Sequence, residues 1–485
     1  MLHTLTLAEA LRKLRAKEVS ATELTQACID RIDSVDGTLN AVVYKNFDSA
    51  LEEAKKFDDN FDTSKPLGGI PYLAKDVFCE AGVPTTACSN MLRSKDYRPP
   101  FDSTTTKRLK EAGAISLGKA NTDEFTMGGS TETSCYGVTR NPWDSSRVAG
   151  GSSGGSAAAI AADECLFALG TDTGGSIRQP AAYCGCTGLK VTYGRTSRFG
   201  VMSMASSLDT IGVLTKTVED AAVLLRLMAG KDPLDGTTSD APVPNYPSLL
   251  TGSMEGMTIG LPQEYFTEGM DPEVRQAVRD AAKTFEEMGA TVIDVSLPHT
   301  RYGVATYYVL CPSEVSSNMA RYDGIRYGHT EQASSLIAYY EAIRSAGFGP
   351  EVKRRIMIGT YALSAGYFDA YYRQAQKIRT LVRQDFDAAL RQADFLLAPV
   401  TPTPAFAIGA HANDPVHMYL EDALTVPISL AGVPGLAIPC GLTTRQLPIG
   451  MQLIGKHFDE ATILRAGHAY QQATQWHTRK PGLGG

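Results

Sequence analysis

Histidine is missing from the entire stretch between His3 and His299. Any nucleophile carried there must find its proton acceptor elsewhere in the chain or use a different base. No run of about eighteen consecutive apolar residues occurs, so no helical membrane span is expected. The first residues show no charged segment leading into an apolar one, so no secretory signal is expected either. A strong excess of either charge is also lacking. Lys and Arg number 46 against 53 Asp and Glu, a formal net charge of −7. That is too acidic for this chain alone to grip a nucleic acid, which calls for a basic face. A partner that binds nucleic acid is not excluded. The nine cysteines are scattered along the chain, and only Cys184 and Cys186 lie one residue apart. With no C-x-x-C spacing and no nearby histidine they do not read as a metal site. They read as free thiols and small buried hydrophobes, in a reducing, cytoplasmic setting.

What is present is enough apolar material for a large core, 43% of 485 residues. The first 35 residues pattern as helix, and Ser20 with Glu23 forms an S-x-x-E capping box. Residues 69–74 read as a short buried strand ending at Lys75, and residues 112–118 as a helix end followed by a strand. Ala157 to Ala162 reads as helix, and Leu166 to Leu169 as strand. Gly256 to Leu261 reads as strand. Asp271-Pro272-Glu273 opens a helix that ends at Gly289, and Thr291 to Val295 is strand again. Residues 312–392 are expected to be mostly helical, with late strands at Phe395 to Val400 and Met451 to Ile454. Strands alternating with helices imply an α/β protein with a covered sheet. No repeat, low-complexity tract or linker divides the chain. This favours one domain over 1–485, with N-terminal helices over about 1–60 and a helical insertion over about 312–392.

Two serine loops among glycines stand out: Gly150-Gly151-Ser152-Ser153-Gly154-Gly155-Ser156, and Gly170-Thr171-Asp172-Thr173-Gly174-Gly175-Ser176. Glycine lets backbone N–H groups come close to a reacting centre, so each serine reads either as a turn filler or as a nucleophile with donors around it. A phosphate loop is poorly matched, because neither G-K-[ST] nor G-x-G-x-x-G is present. Ser176 is not in a G-x-S-x-G elbow, because Gly174-Gly175-Ser176-Ile177-Arg178 lacks the second glycine. His299, His329, His411 and His417 could approach only through folding. Lys75, after an apolar strand, is the other base, because a hydrophobic setting lowers a lysine pKa and leaves a neutral amine. On spacing alone a surface lysine is the simpler reading.

The block over 150–192, GGSSGGSAAAIAADECLFALGTDTGGSIRQPAAYCGCTGLKVT, together with Lys75 in GIPYLAKDV, resembles the amidase signature family. The resemblance implies the amidase-signature fold, a large mixed sheet covered by helices on both faces. It also implies a Ser-cis-Ser-Lys triad: Ser176 as nucleophile, Ser152 as the bridging serine after a cis peptide, and Lys75 as base. Backbone N–H groups at Thr173, Gly174 and Gly175 would form the oxyanion hole. Ser153 and Ser156 read as turn or cap residues, and Asp172 and Arg178 as structural. Ala149, Val77, Val191 and Cys186-Thr187 depart from the family's common residues, none within the triad.

Segments outside the signature narrow the likeness. NTDEFTMGGSTETSCYGVTRNPWD (121–144), EVKRRIMIGTYALSAGYFDAYY (351–372), LAPVTPTPAF (397–406) and MYLEDALTVPISLAGVPGLAIPCG (418–441) resemble the A-subunit family of glutamyl-tRNA(Gln)/aspartyl-tRNA(Asn) amidotransferases. That likeness implies a glutaminase that supplies ammonia to a partner subunit, with B and C subunits as partners. It implies no cofactor in this chain, ATP and Mg used by the partner, and tRNA contacted mainly through the partner. Arg355 would take the glutamine carboxylate, with Arg354 as its adjacent alternative, and Asp422 the ammonium. Tyr307, Gly128 and Gly129 would complete the pocket. From the residues alone, Arg354, Arg355 and Asp422 read as solvated surface. A stand-alone hydrolase of small amides and an inactive scaffold are the competing readings.

Overall fold

The structure, a computed structural model, describes residues 1–93 and 97–483. Its strands are, in chain order, β1 (Val42–Lys45), β2 (Pro71–Lys75), β3 (Ile115–Ala120), β4 (Arg140–Asn141), β5 (Asp144–Val148), β6 (Phe167–Asp172) and β7 (Thr187–Lys190). They continue with β8 (Thr210–Thr215), β9 (Thr258–Pro262), β10 (Thr291–Val295), β11 (Phe395–Pro399), β12 (Gly435–Leu442) and β13 (Pro448–Ile454). Eleven of them build one sheet in the order β1-β3-β2-β6-β8-β7-β12-β13-β11-β9-β10, and β4 and β5 pair separately. The sheet is mixed. β2 runs parallel to both β3 and β6, and β9 runs parallel to both β10 and β11. The middle of the sheet is antiparallel. Every residue of β2, β3, β6, β7, β8, β11 and β13 is buried, so both faces are covered there.

Helices begin where the sequence supplies caps. Glu23 N–H donates to Ser20 Oγ at 3.1 Å, and the Ser20 N–H donates back to Glu23 Oε2 at 2.8 Å, opening helix Ala21–Leu39. Asp271 caps Pro272–Glu287 through the Glu273 N–H at 2.8 Å. The strands expected from the apolar runs at 69–75, 256–261, 291–295 and 395–400 are present as β2, β9, β10 and β11. The N-terminal region is not purely helical, because edge strand β1 lies between helices Ala21–Leu39 and Phe47–Asp59. β7, β8 and β12 are further strands not anticipated from the sequence. Covered on both faces, these strands have no polar/apolar alternation to reveal them. The helical stretch begins at Gly303 rather than near 312, and comprises Gly303–Asn318, Leu336–Gly347, Pro350–Leu363 and Gln374–Gln392, joined by turns and irregular segments.

The pairing of β2 with β6 positions the site. Tyr72 aligns with Phe167 and Leu73 with Ala168, and the Tyr72 and Phe167 rings stack at 5.0 Å. Being parallel, the two strands end at the same edge of the sheet, Lys75 beside the start of the second serine loop. The first serine loop runs into helix Gly154–Ala161, where Ser156 Oγ donates to the Leu169 carbonyl of β6 at 2.8 Å.

Candidate active site

Lys75 is fully buried, and three hydroxyls surround its Nζ: Ser152 Oγ at 2.7 Å, Thr171 Oγ1 at 2.8 Å and Ser153 Oγ at 2.9 Å. Burial pushes its pKa down from 10.5 to about 7, against the pull of Asp123 and Asp172. A neutral amine has two N–H donors and one lone pair. Three hydroxyls satisfy all of these at once. Ser153 turns its own hydroxyl toward the Thr171 carbonyl at 3.3 Å, which leaves its oxygen free to accept from the amine. Ser152 can then present its hydroxyl to the lone pair. Ser153 occupies the N-cap position of helix Gly154–Ala161, as a cap reading expects, but its side chain makes no cap hydrogen bond and instead holds the lysine. Ser156 is neither a turn nor a cap residue: it lies in the first turn of that helix and anchors it to β6.

The two loops are tied back to back. The Ser153 N–H donates to the Ser176 carbonyl at 3.1 Å, and the Gly151–Ser152 peptide bond is cis. Gln179, which sequence reasoning passed over, joins three segments. Its Oε1 accepts from the Gly151 N–H at 2.9 Å while its Nε2 donates to the Gly129 carbonyl at 2.8 Å. Among the triad residues expected from sequence, exposure separates Ser176 from the others. It retains 9% of its surface, whereas Lys75 and Ser152 retain 0%. That suits a nucleophile that meets substrate and a relay sealed from water.

The glycines of the second loop are held by close neighbours. A Cβ on Gly174 would come within 2.8 Å of the Tyr307 ring. Gly175 has a φ of +143°, and a Cβ there would lie 2.2 Å from Thr425 Oγ1. Thr425 Oγ1 in turn donates to the Gly174 carbonyl at 2.6 Å, and Thr173 Oγ1 donates to Asp209 at 2.7 Å. Below the loop, Arg178 forms a buried ion pair with Asp172 at 3.0 Å and also reaches Gln452 and Ser429. Burial raises the Asp172 carboxyl, but the Arg178 charge and hydrogen bonds outweigh it and bring the pKa below the usual value. Their structural reading stands.

Tyr307 is buried against Gly174, and its ring packs edge-on to Tyr308 at 5.0 Å. Arg355 is buried too. Its guanidinium lies over Tyr308 at 5.4 Å and Tyr419 at 5.7 Å, and its Nε donates to Glu351 Oε1 at 2.8 Å. Asp422 accepts from Tyr308 Oη at 3.3 Å. Burial raises its pKa to about 7, with the Arg355 charge opposing. Arg355 and Asp422 are therefore not the surface residues that the sequence alone suggested. Arg354 is: it is 42% exposed and pairs with Glu351. A cavity of about 380 Å³ is lined by Gly128, Gly129, Glu351, Arg354 and Tyr419, among others. A second, of about 270 Å³, reaches Thr171, on the lysine's flank. Among the described residues no histidine bonds to Lys75, Ser152 or Ser176. His299, His329 and His417 each bond a carboxylate of their own, Asp385, Glu331 and Asp414. The nine cysteines are free thiols, eight of them buried.

The family model described as Amidase matches residues 23–464. The chain belongs to the amidase signature family. It is 53% identical over 485 residues to the A subunit of the glutamyl-tRNA(Gln) amidotransferase of Chloroflexus aurantiacus, covering 99% of each chain. Among solved structures, it is 40% identical to the A subunit of the glutamyl-tRNA(Gln) amidotransferase of Thermotoga maritima, with a TM-score of 0.80, covering 96% of this chain and 94% of that one. The peptide amidase of Stenotrophomonas maltophilia is 32% identical with a TM-score of 0.86, covering 99% of both chains. The large mixed sheet with its helices is thus the fold of amidase-signature enzymes. Among the described residues, no helix is long and apolar enough to cross a membrane.

Proposed function

We propose that this chain is the glutaminase subunit of a tRNA-dependent amidotransferase. Ser176 Oγ attacks the side-chain carboxamide of glutamine while its proton passes through Ser152 to neutral Lys75. N–H groups at Thr173, Gly174 and Gly175 receive the oxyanion. On collapse the proton returns through Ser152 to the leaving nitrogen, releasing ammonia and a glutamyl ester on Ser176. Water then cleaves the ester to glutamate. Arg355 receives the α-carboxylate and Asp422 the α-ammonium of the substrate, with Tyr307 and the Gly128-Gly129 backbone beside them. A B subunit, assembled with a C subunit, uses ATP and Mg to activate glutamate or aspartate on mischarged tRNA, and the ammonia completes the amide. The tRNA is held mainly by that partner.

The observation that carries this reading is the near end-to-end likeness to amidotransferase A subunits, well beyond the catalytic loops. A stand-alone amidase is the second reading, favoured by the likeness to a peptide amidase. A glutaminase assay of the chain, alone and with its partner subunits, separates them. We expect Ser176→Ala to abolish glutamine hydrolysis, a loss of about 10⁴-fold or more, while the complex still amidates tRNA from ammonium. Full glutaminase activity in Ser176→Ala would remove Ser176 from its role. Hydrolysis of peptide amides but not glutamine, unaffected by partners, would favour the stand-alone amidase.

A further inference from the structure

Arg355 and Asp422 carry opposite charges in a buried site, yet they do not pair with each other. Among the described residues the only hydrogen bond of the Arg355 guanidinium is from Nε to Glu351, so neither Nη atom is engaged. Among those residues the one hydrogen bond to the Asp422 carboxylate comes from Tyr308 Oη. Of the charges acting on the Asp422 carboxyl, that of Arg355 is the strongest. Two such charges attract strongly away from water. A direct pair would quench both and leave nothing for a ligand that brings one charge of each sign.

Glu351 opposes that collapse. It lies one helical turn before Arg355 on helix Pro350–Leu363, so its carboxylate is built into the element that carries the arginine. One oxygen, Oε1, accepts both Arg355 Nε at 2.8 Å and Tyr419 Oη at 3.0 Å. Tyr419 stacks on Tyr308 with ring centroids 3.8 Å apart, and Tyr308 is the residue that bonds Asp422. The other oxygen, Oε2, is occupied by Arg354. The guanidinium is thus gripped along its Nε edge against two tyrosine faces, and its Nη edge is left open.

We propose that Glu351 is a positioning residue that determines selectivity for a zwitterionic amide. It keeps Arg355 apart from Asp422 so that both charges remain available to the substrate. This rests on the glutamine reading above. The test uses the chain assembled with its partner subunits, comparing wild type, Glu351→Ala and Glu351→Gln in steady-state glutamine hydrolysis, with thermal melting as the check on folding. Glu351→Ala should raise KM for glutamine on the order of ten- to a hundredfold while kcat stays within about threefold. Glu351→Gln keeps an oxygen acceptor for Arg355 and Tyr419, and should recover most of the KM. An unchanged or lower KM in Glu351→Ala overturns the proposal. So does a parallel loss of kcat and melting temperature that Glu351→Gln does not relieve, which would mark a merely structural role. A wild-type complex that fails to hydrolyse glutamine overturns the glutaminase reading instead, and is recognisable because it appears before any substitution.

Discussion

Two lysines of this chain, Lys75 and Lys190, share a perturbation and differ in everything around it. Both are fully buried, and burial brings each from 10.5 down to about 7. Lys75 is surrounded by the hydroxyls of Ser152, Ser153 and Thr171. Lys190, at the end of β7, donates to the Val433 and Val191 carbonyls at 2.9 and 3.1 Å. A hydroxyl can accept a proton and donate one, so a chain of them carries a proton to an amine. A carbonyl only accepts. With both N–H donors of the neutral amine taken by carbonyls, Lys190 ties β7 to the segment before β12. A displaced pKa therefore does not by itself mark a base. The partners decide.

Removing each amine in turn separates the two lysines most directly. Lys75→Met should lower kcat/KM for glutamine by about 10³-fold or more, while Lys190→Met should stay within about threefold. Similar losses in both would erase the distinction between them. Acidity gives the next largest effect. On the proposed mechanism Lys75 must be neutral to accept a proton, and Asp422, raised to about 7, must be ionised to hold the ammonium. Log kcat/KM for glutamine should therefore fall below pH 7 with a slope approaching about two, and Asp422→Asn should reduce the limb of its residual activity to about one. An unaltered slope would remove Asp422 from the substrate's titration. A smaller change is expected from Thr171→Val, which takes away one of the three hydroxyls and should cost on the order of tenfold in kcat, leaving KM near its original value.

The smallest effect concerns stability. A lysine whose pKa is lowered on folding binds its proton more readily in the unfolded chain, so stability falls as pH drops from 10.5 to about 7. Lys190→Met removes one such contribution. Denaturant melts should show the variant losing less stability than wild type across that window. An identical pH dependence would mean that Lys190 keeps its proton when folded.

Much of the fold is legible in the sequence because local signals carry it. The Ser20/Glu23 box, the Asp271-Pro272 helix start and the apolar runs of β2, β9, β10 and β11 each follow from neighbouring residues. β8 and β12 are not, since burial on both faces removes their alternation. At the site, the glycine-serine loops and the missing histidine point to Lys75, and resemblance assigns roles to the serines. Ser153, Thr171 and Gln179 escape notice as ligands of the lysine and of the loops. Their partners lie 78, 96 and 28 residues away, and nothing in a linear pattern marks such a pairing.

The family, the two serine loops and the shortage of alternatives to a lysine base are all set by the chain's order of residues, because they reside in residue types and short spacings. Which groups are dry is a matter of the folded molecule alone. Folding places Lys75 among hydroxyls and Lys190 among carbonyls, and it moves Arg355 and Asp422 from a nominal surface into a buried site where they do not pair with each other. Burial and partnership arise from strands and helices distant in the chain, and it is desolvation, not residue type, that turns an ordinary lysine or aspartate into a group that titrates near neutrality.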